Sequence, residues 1–167
     1  RPPRSTLFPY TTSSDLQEKA VNAMSRHDKG QVIVPTGGGK TICMIQDAIE
    51  QFKSNRLKTI VVVAPRILLA NQLCEEFLEF IDDVDVLHVH SGETHHDSTT
   101  KSKVIEEWYW ASKRHQLIFT TYHSLHKIQE ATAMLPDTVY FDEAHNAVQK
   151  NFIEAVEHHS MYVVRNY

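Results

Sequence analysis

The sequence has little of several features that would assign a protein to a class at once. Its two cysteines, Cys43 and Cys74, lie far apart in segments with the apolar spacing of helices, which excludes a disulfide scaffold and favours a reducing compartment. It contains no signal peptide and no apolar run of membrane length, so we expect no membrane partner. Its formal net charge of −4 gives no overall basic character, and charge alone therefore identifies no partner.

Glycine is also scarce, and its placement is informative. The 167 residues contain five glycines, and three of them are consecutive, at 37–39. A hydrophobic fraction of 41% and a charged fraction of 23% can build an ordinary core, so we expect one domain over residues 1–167. The chain opens at Arg1 without a methionine and ends at Tyr167 in a strand-like run without a turn, and we expect the sequence to continue beyond both ends.

Short apolar runs alternate with longer amphipathic segments. Most of the runs are continuously apolar and rich in β-branched residues, as strands buried on both faces are; they are QVIVP, TIVVVAP, VDVLHVH, QLIFTTY, TVYFDE and MYVVRN. The amphipathic segments predict helices near 14–26, 40–53, 67–80, 101–113, 123–134 and 148–158. Repeated βαβ units of this kind predict an α/β fold with a mostly parallel central sheet. Because ligands bind at the carboxyl ends of such strands, functional residues should follow the strands directly.

The segment VIVPTGGGKT joins a predicted strand to a predicted helix and resembles a phosphate-binding, or Walker A, loop. The strict pattern requires a glycine where Val34 stands, so one requirement is not met. Lys40 would reach the β and γ phosphates, and the Thr41 hydroxyl would bind Mg²⁺. The predicted nucleotide-binding residues of the loop are Thr36, Gly37, Gly38, Gly39, Lys40 and Thr41. The alternative is a glycine-rich turn with a solvated lysine.

A second segment, VYFDEAH at residues 139–145, places Asp142 and Glu143 at the carboxyl end of a predicted strand. A Mg-dependent nucleotide hydrolase needs one carboxylate to hold the metal and another to position and deprotonate the attacking water. We assign these roles to Asp142 and Glu143, respectively. The alternative is an acidic start of the next helix, which the helix dipole favours. Because both segments follow strands of one predicted sheet, the pair argues against a chance occurrence, and the predicted ligands are a nucleoside triphosphate and Mg²⁺.

Taken together, PTGGGKT and DEAH resemble motifs I and II of the superfamily 2 helicases and translocases, over essentially the whole chain. The resemblance implies a RecA-like, three-layer α/β/α sandwich, one of two such domains that enclose ATP. Members of that family often carry an apolar residue where Val34 stands, which removes the objection to the loop. The family also implies that Lys40, Asp142 and Glu143 act in catalysis and that His145 couples the ATP site to neighbouring motifs.

Other segments resemble further motifs of this family in the expected order. DLQEKAV is similar to the glutamine motif and implies that Gln17 reads the adenine edge. VVVAPRILLANQL resembles motif Ia of the family, and HSGE has the glycine expected near the next nucleic-acid loop. IFTTYHSL resembles motif Ib as it occurs in the branch that contains the type III restriction-enzyme motor subunits. They imply that Arg66, Gly92, Thr120 and Thr121 contact a nucleic-acid backbone, a role that hydroxyls, arginines and loop amides can fill. The branch favours DNA, with RNA left open.

Two parts of the family's machinery are not found in the sequence. The Ser/Thr-Ala-Thr motif that couples hydrolysis to movement does not occur before Tyr167, and the second RecA-like domain, normally in the same chain, is also missing. In this family that domain supplies an arginine finger, which stabilises the transition state. The resemblance therefore implies half of a catalytic site, and we expect the isolated chain to be nearly inactive.

Several conspicuous side chains receive structural interpretations. The 11 histidines include His88 with His90 and the pairs at 95–96 and 158–159, but none accompanies a cysteine pair at zinc-site spacing, so surface or strand positions are favoured. Tyr122 is predicted to be a core residue rather than a platform for a base. Trp108 and Trp110 predict a helix packed on the sheet, on which one exposed tryptophan could meet a partner domain.

The sequence as a whole predicts the ATP-binding domain of an ATP-dependent helicase or translocase that acts on DNA in the cytoplasm, with association with the nucleoid left open. One alternative is a P-loop nucleotide hydrolase with no nucleic-acid role, which differs in whether single strands raise nucleotide affinity or turnover. The other is a binding module that has lost catalysis. Glu143 argues against it, because a binding module needs no catalytic base.

Overall fold

The structure, a computed structural model, describes residues 8–27, 29–34, 39–92, 94, 96–142 and 160–166. The strands are β1 (Lys29–Val34), β2 (Thr59–Ala64), β3 (Val84–Val89), β4 (Asp97–Ser98), β5 (His115–Thr121), β6 (Thr138–Asp142) and β7 (Ser160–Asn166). The helices are α1 (Phe8–Arg26), α2 (Lys40–Phe52), α3 (Ile67–Phe80), α4 (Ser102–Ala111) and α5 (Leu125–Glu130).

The strands form one sheet in which every described pair is parallel. Their order is β1-β7-β6-β2-β5-β3-β4. Strand β2 is central, and all six of its residues are buried. Helices cover both faces of the sheet, so neither face of this strand is left to solvent. The parallel arrangement brings the carboxyl ends of all the strands to one edge, where the sequence places its candidate functional residues.

Two apolar layers hold the helices on the sheet. On one face Ile60 and Val62 of β2 pack against α1, α2 and α3, in a cluster that includes Met44 and Phe77. On the other face Val61 and Val63 pack against α4 and α5. Because successive side chains of a strand point to opposite faces, one continuously apolar strand supplies both cores. The predicted three-layer α/β/α sandwich with a RecA-like fold is therefore confirmed.

Most element boundaries agree with the sequence pattern, and the differences have local causes. Helix α3 spans the predicted residues 67–80. The helix predicted at 123–134 begins at Leu125 and ends at Glu130, because a turn precedes it, in which the Ser124 amide donates to the Thr121 carbonyl at 3.1 Å. The short, exposed strand β4 has no apolar pattern and was not predicted. The helix predicted at 148–158 lies outside the described residues.

The two cysteines and the tryptophans occupy contrasting environments. Cys43 on α2 and Cys74 on α3 are free and buried, and burial raises the pKa of the Cys74 thiol to about 12. On α4, Trp108 packs against the core, whereas Trp110 is 70% exposed. The interpretation of this segment as a sheet-packed helix with one exposed tryptophan is thus confirmed.

In the part of the chain that is described, no helix combines the length and the apolar character required to cross a membrane.

Candidate functional site at the carboxyl edge of the sheet

Helix α2 begins directly after a glycine in the left-handed region. Gly39 caps the helix with φ of 79°, where side chains with a Cβ are strained. A Cβ at this position would also lie 2.4 Å from the Nε2 atom of Gln17, although that atom ends a flexible side chain that can move aside. The backbone conformation is therefore what favours glycine at this position. Thr36, Gly37 and Gly38, the other predicted loop residues, lie outside the described residues.

Gln17 on α1 lies directly against this loop, as its approach to Gly39 indicates. The side chain is half-buried and carries an amide with two donors and one acceptor, the groups that an adenine edge needs. The structure thus brings Gln17 next to the predicted nucleotide site. Its contact with adenine stays a prediction.

Strand β6 ends at Asp142, which lies beside the start of α2. The Nζ atom of Lys40 lies 2.9 Å from the Oδ1 atom of Asp142, and the two side chains are 15% and 4% exposed. Thr41 follows on the first turn of α2 and is half-buried. A cation suited to phosphates and a carboxylate suited to Mg²⁺ therefore meet where the sequence predicts them. With a hydroxyl residue next to Lys40 in the chain, these residues are of the types that fit Mg-ATP. Glu143 and His145 lie outside the described residues.

The ion pair is one of several polar contacts between β6 and α2. Three of the contacting pairs form what we call the α2–β6 ladder, and the Nε2 atom of Gln51 also donates to the Tyr140 hydroxyl at 3.3 Å. The residues of β6 alternate along the strand and therefore share one face. The hydroxyl of Thr138 donates to the Oε1 atom of Gln51 at 2.6 Å, and the hydroxyl of Tyr140 donates to the carboxylate of Asp47. The three pairs of the ladder are Lys40–Asp142, Asp47–Tyr140 and Gln51–Thr138.

Asp47 is the buried centre of the ladder. It is 4% exposed and also accepts a bond from the Nε2 atom of Gln51 at 2.9 Å. Burial raises the pKa of the Asp47 carboxyl, while the bonds from Tyr140 and Gln51 oppose that rise. Sequence reasoning missed this group, although two polar residues four positions apart on the buried side of an amphipathic helix were a usable signal.

The residues predicted to contact a nucleic-acid strand follow three adjacent strands, β2, β5 and β3. Thr121 is paired with Ala64 at the end of β2, and Thr120 is paired with Val89 at the end of β3. Arg66, at the start of α3, is exposed. Gly92 packs so closely on Ile67 that a Cβ would lie 2.4 Å from its Cγ2 atom.

The hydroxyls of the two threonines are engaged inside the protein. The Thr120 side chain is fully buried and donates to the Val89 carbonyl at 2.8 Å. Thr121 is also buried, and its Oγ1 atom accepts the Ser124 amide at 3.3 Å. These hydroxyls shape the loop edges, and Arg66 is the predicted contact residue with an exposed side chain. Contact of all four residues with a nucleic acid stays a prediction.

Comparison with known proteins agrees with this geometry. A family model described as the type III restriction enzyme, res subunit, matches residues 11–165. The chain belongs to that family. No curated protein sequence matches it.

Solved structures similar to this res-subunit chain show the same fold. One is a nuclease-deletion mutant of the type ISP restriction-modification enzyme LlaGI in complex with a DNA substrate mimic, with a TM-score of 0.71 and 20% identity, covering 93% of this chain and 17% of that one. Another is the ATP-dependent type ISP enzyme LlaBIII bound to DNA, with a TM-score of 0.67, 17% identity and coverage of 93% and 12%. A third is the UvsW helicase from bacteriophage T4, with a TM-score of 0.65, 14% identity and coverage of 90% and 51%.

In this res-subunit domain, His88 on β3 and His90 directly after that strand form a buried pair. His88 and His90 are 0% and 2% exposed, and the Nδ1 atom of His88 lies 3.0 Å from the Nε2 atom of His90. The Nδ1 atom of His90 accepts the Gly92 amide at 3.1 Å. Burial, with the neighbouring rings of His90 and His96, lowers the pKa of His88 to about 4. Among the described residues, no group of three or more His, Cys, Asp or Glu side chains could hold a metal ion.

Tyr122 is a core residue, as predicted. It is half-buried, packs against the core that carries Val61 and Val63, and its ring stacks on Phe141 with centroids 6.3 Å apart. Such offset stacking is a normal packing geometry for two aromatic rings.

Proposed function

We propose that this chain is the ATP-binding domain of an ATP-dependent DNA helicase or translocase that works in the cytoplasm. The observation that carries the proposal is the contact between Lys40 and Asp142 at 2.9 Å, at the start of a helix capped by left-handed Gly39. A cation, a metal-binding carboxylate and a helix N-terminus are concentrated at one point, and this combination suits a nucleoside triphosphate.

The residues of the site divide the work among them. Lys40 would exchange its partner Asp142 for the β and γ phosphates, and Asp142 would hold Mg²⁺ together with the hydroxyl of Thr41. The backbone amides of Thr36, Gly37, Gly38 and Gly39 would bind the phosphates, and Gln17 would read adenine. Glu143 would deprotonate the attacking water, and His145 would link the site to neighbouring motifs. Bound ATP supplies the phosphoryl group, whose charge Mg²⁺ neutralises.

DNA is the proposed partner, contacted beyond the carboxyl ends of β2 and β3 by Arg66 and Gly92. Thr120 and Thr121 are buried at the end of β5 between these two strands, so we propose that they support the contact by shaping the backbone of the neighbouring loops. The naming of DNA in the two similar restriction-modification structures supports DNA over RNA. Arg66 is the residue to which we assign the direct phosphate contact, because its side chain is exposed.

Hydrolysis needs a second RecA-like domain in the proposed mechanism. The chain spans 17%, 12% and 51% of the three similar solved structures, so residues 1–167 are proposed to form one domain of a larger motor. A facing domain would supply the transition-state cation, which in phosphoryl-transfer enzymes contributes roughly 10³ to 10⁵ in rate. We therefore propose that the isolated chain has almost no turnover.

The test uses the full-length protein that contains this chain. ATP affinity and turnover are measured with and without single-stranded DNA, for the wild type, Glu143→Gln and the control Glu107→Gln, whose exposed side chain lies on α4. Glu143→Gln should retain ATP binding and lose roughly 100-fold or more in turnover, as loss of a general base does. The control should behave as the wild type.

Two results would contradict the proposal in different ways. A Glu143→Gln protein that binds ATP poorly but hydrolyses it normally at saturation would remove Glu143 from its role. A wild-type protein whose nucleotide affinity and turnover both ignore DNA would be a nucleotide hydrolase without a nucleic-acid role.

A further inference from the structure

Tyr122 lies across the ends of three neighbouring strands. It directly follows β5, its amide donates to the Ala64 carbonyl at the end of β2 at 3.2 Å, and its hydroxyl donates to the Asp142 carbonyl at the end of β6 at 2.8 Å. Since the sheet order is β6-β2-β5, this one residue connects three neighbouring strands, through its backbone amide to β2 and through its side chain to β6. Residues 20 positions apart in sequence are thereby joined at the functional edge.

Two of these strand ends belong to the proposed nucleic-acid contact, and the third belongs to the proposed ATP site. The end of β5 carries Thr121, and the end of β2 leads within two residues to Arg66, which is exposed. The end of β6 carries Asp142. Its carbonyl belongs to the peptide bond with Glu143, so the Tyr122 hydroxyl holds the peptide unit from which the proposed catalytic base extends.

The path from the loop after β5 to the Asp142 peptide consists of Tyr122 alone. The Tyr122 ring is stacked on Phe141 at an interplanar angle of 18°, so it cannot shift without disturbing β6. Asp142 is held from two directions, because its side chain contacts Lys40 on α2, whereas Tyr122 packs with the core on the other face of the sheet. A displacement of the loop after β5 therefore reaches the Asp142 peptide through one residue.

We propose that Tyr122 couples nucleic-acid binding to ATP hydrolysis as a positioning residue. The inference rests on the proposed function, because it requires both an ATP site at Asp142 and a strand contact beside Arg66 and Thr121. Binding of a strand to the loops after β2 and β5 fixes Tyr122, and its hydroxyl then orients the Asp142–Glu143 peptide. We expect the same contact to couple the two binding equilibria as well, and nucleotide and strand must then change each other's affinity by the same factor.

The experiment measures this coupling by binding alone and then by turnover. In the full-length protein, the Kd of a fluorescent single-stranded DNA of mixed sequence is measured with and without a non-hydrolysable ATP analogue and Mg²⁺. The ratio of the two Kd values is the coupling factor. Tyr122→Phe deletes the hydroxyl and keeps the ring on Phe141, and the factor should fall by roughly tenfold, equivalent to about 1.4 kcal/mol, which is the scale of one hydrogen bond.

The stimulation of turnover by DNA should fall by a similar factor in Tyr122→Phe. The matched control is Tyr109→Phe, which removes a hydroxyl from another half-buried tyrosine packed against the same core and should keep the wild-type coupling factor. Thermal unfolding of each variant establishes that both proteins are folded under the assay conditions.

The outcomes separate the coupling role from the proposed function. A wild-type coupling factor in Tyr122→Phe would overturn the role of the hydroxyl. An equal reduction of the coupling factor in Tyr109→Phe would mean that loss of any tyrosine hydroxyl near this core has the same effect, and would also overturn it. Loss of DNA affinity with coupling retained would make Tyr122 a direct contact instead. A wild-type protein in which nucleotide and DNA do not affect each other's binding or turnover would overturn the proposed function, and the coupling role with it.

Discussion

The Nζ atom of Lys40 and the Oδ1 atom of Asp142 lie 2.9 Å apart although their residues are 102 positions apart in the chain (142 − 40). The two side chains are 15% and 4% exposed, so each charge depends on the other for stabilisation. Removing one partner of a buried pair leaves an uncompensated charge, which costs more than the pair itself contributes. The same contact therefore contributes to the stability of the fold and holds the two side chains of the proposed ATP site together.

Replacing Lys40 by alanine should weaken nucleotide binding by about 2 kcal/mol, the scale of a charge-assisted contact. The reason is the loss of the charge that faces the β and γ phosphates. Calorimetric titration with a non-hydrolysable ATP analogue measures the effect. The control is Lys53→Ala near the other end of α2, where the lysine is exposed and pairs with exposed Glu50. Equal affinities for Lys40→Ala and wild type would refute the phosphate-binding role.

The isolated chain should fold but turn over ATP at close to the background rate, because the facing domain of the proposed motor is missing. Adding single-stranded DNA should change this little, since strands accelerate such motors by closing two domains together. Steady-state phosphate release with and without DNA measures both effects. Turnover above roughly 1 per second, an ordinary enzymatic rate, would mean that the chain supplies its own transition-state cation, from Arg66, or pairs with a second copy.

Tyr140→Phe should destabilise the domain by about 1 to 3 kcal/mol, because the buried Asp47 carboxylate loses a donor. Urea unfolding of residues 1–167, followed by circular dichroism, measures the loss. Thr132→Val, a change of an exposed residue, gives the baseline for deleting a hydroxyl elsewhere. A loss no larger than this baseline would show that the middle contact of the α2–β6 ladder does not stabilise the fold.

Acid should destabilise the domain through His88, whose pKa in the fold is about 4. In the unfolded chain a histidine has its ordinary pKa of about 6.5, so the unfolded state binds the proton first as the pH falls. The stabilising contribution is complete above about pH 6.5 and is lost toward pH 4, with a slope of at most about 1.4 kcal/mol per pH unit.

His88→Gln removes this titration, and the stability of the variant should depend less on pH between about 4 and 6.5. Urea unfolding at a series of pH values measures the slope for the variant and for the control His126→Gln, whose histidine is exposed. An unchanged slope in His88→Gln would assign the acid sensitivity to other groups.

The order of elements could be predicted because the strands are continuously apolar and the helices amphipathic, both of which are local properties. Helix α3 was predicted with its bounds for this reason. Lys40 and Asp142 could be placed together because both follow strands of one parallel sheet, whose carboxyl ends share an edge. The direction of the strands therefore predicts the position of the site more strongly than the individual residue types do.

The contacts that tie the site together could not be predicted in this way. The Asp47–Tyr140 bond joins residues 93 positions apart, and the Tyr122 bond to Asp142 uses a backbone carbonyl. Neither has a signature in sequence spacing. The burial of the Thr120 hydroxyl also depends on the neighbouring strand, because its acceptor is the Val89 carbonyl.

The position of the tryptophans gives the domain a natural optical reporter. Both tryptophans of the chain, Trp108 and Trp110, lie on α4, which packs on the face of the sheet opposite α2. Both indole rings therefore lie away from the Lys40 side of the sheet, and Trp108 shares its apolar cluster with Tyr122. A change in tryptophan fluorescence on adding nucleotide would thus show that binding on the α2 face alters the environment of α4 on the opposite face, without any attached dye.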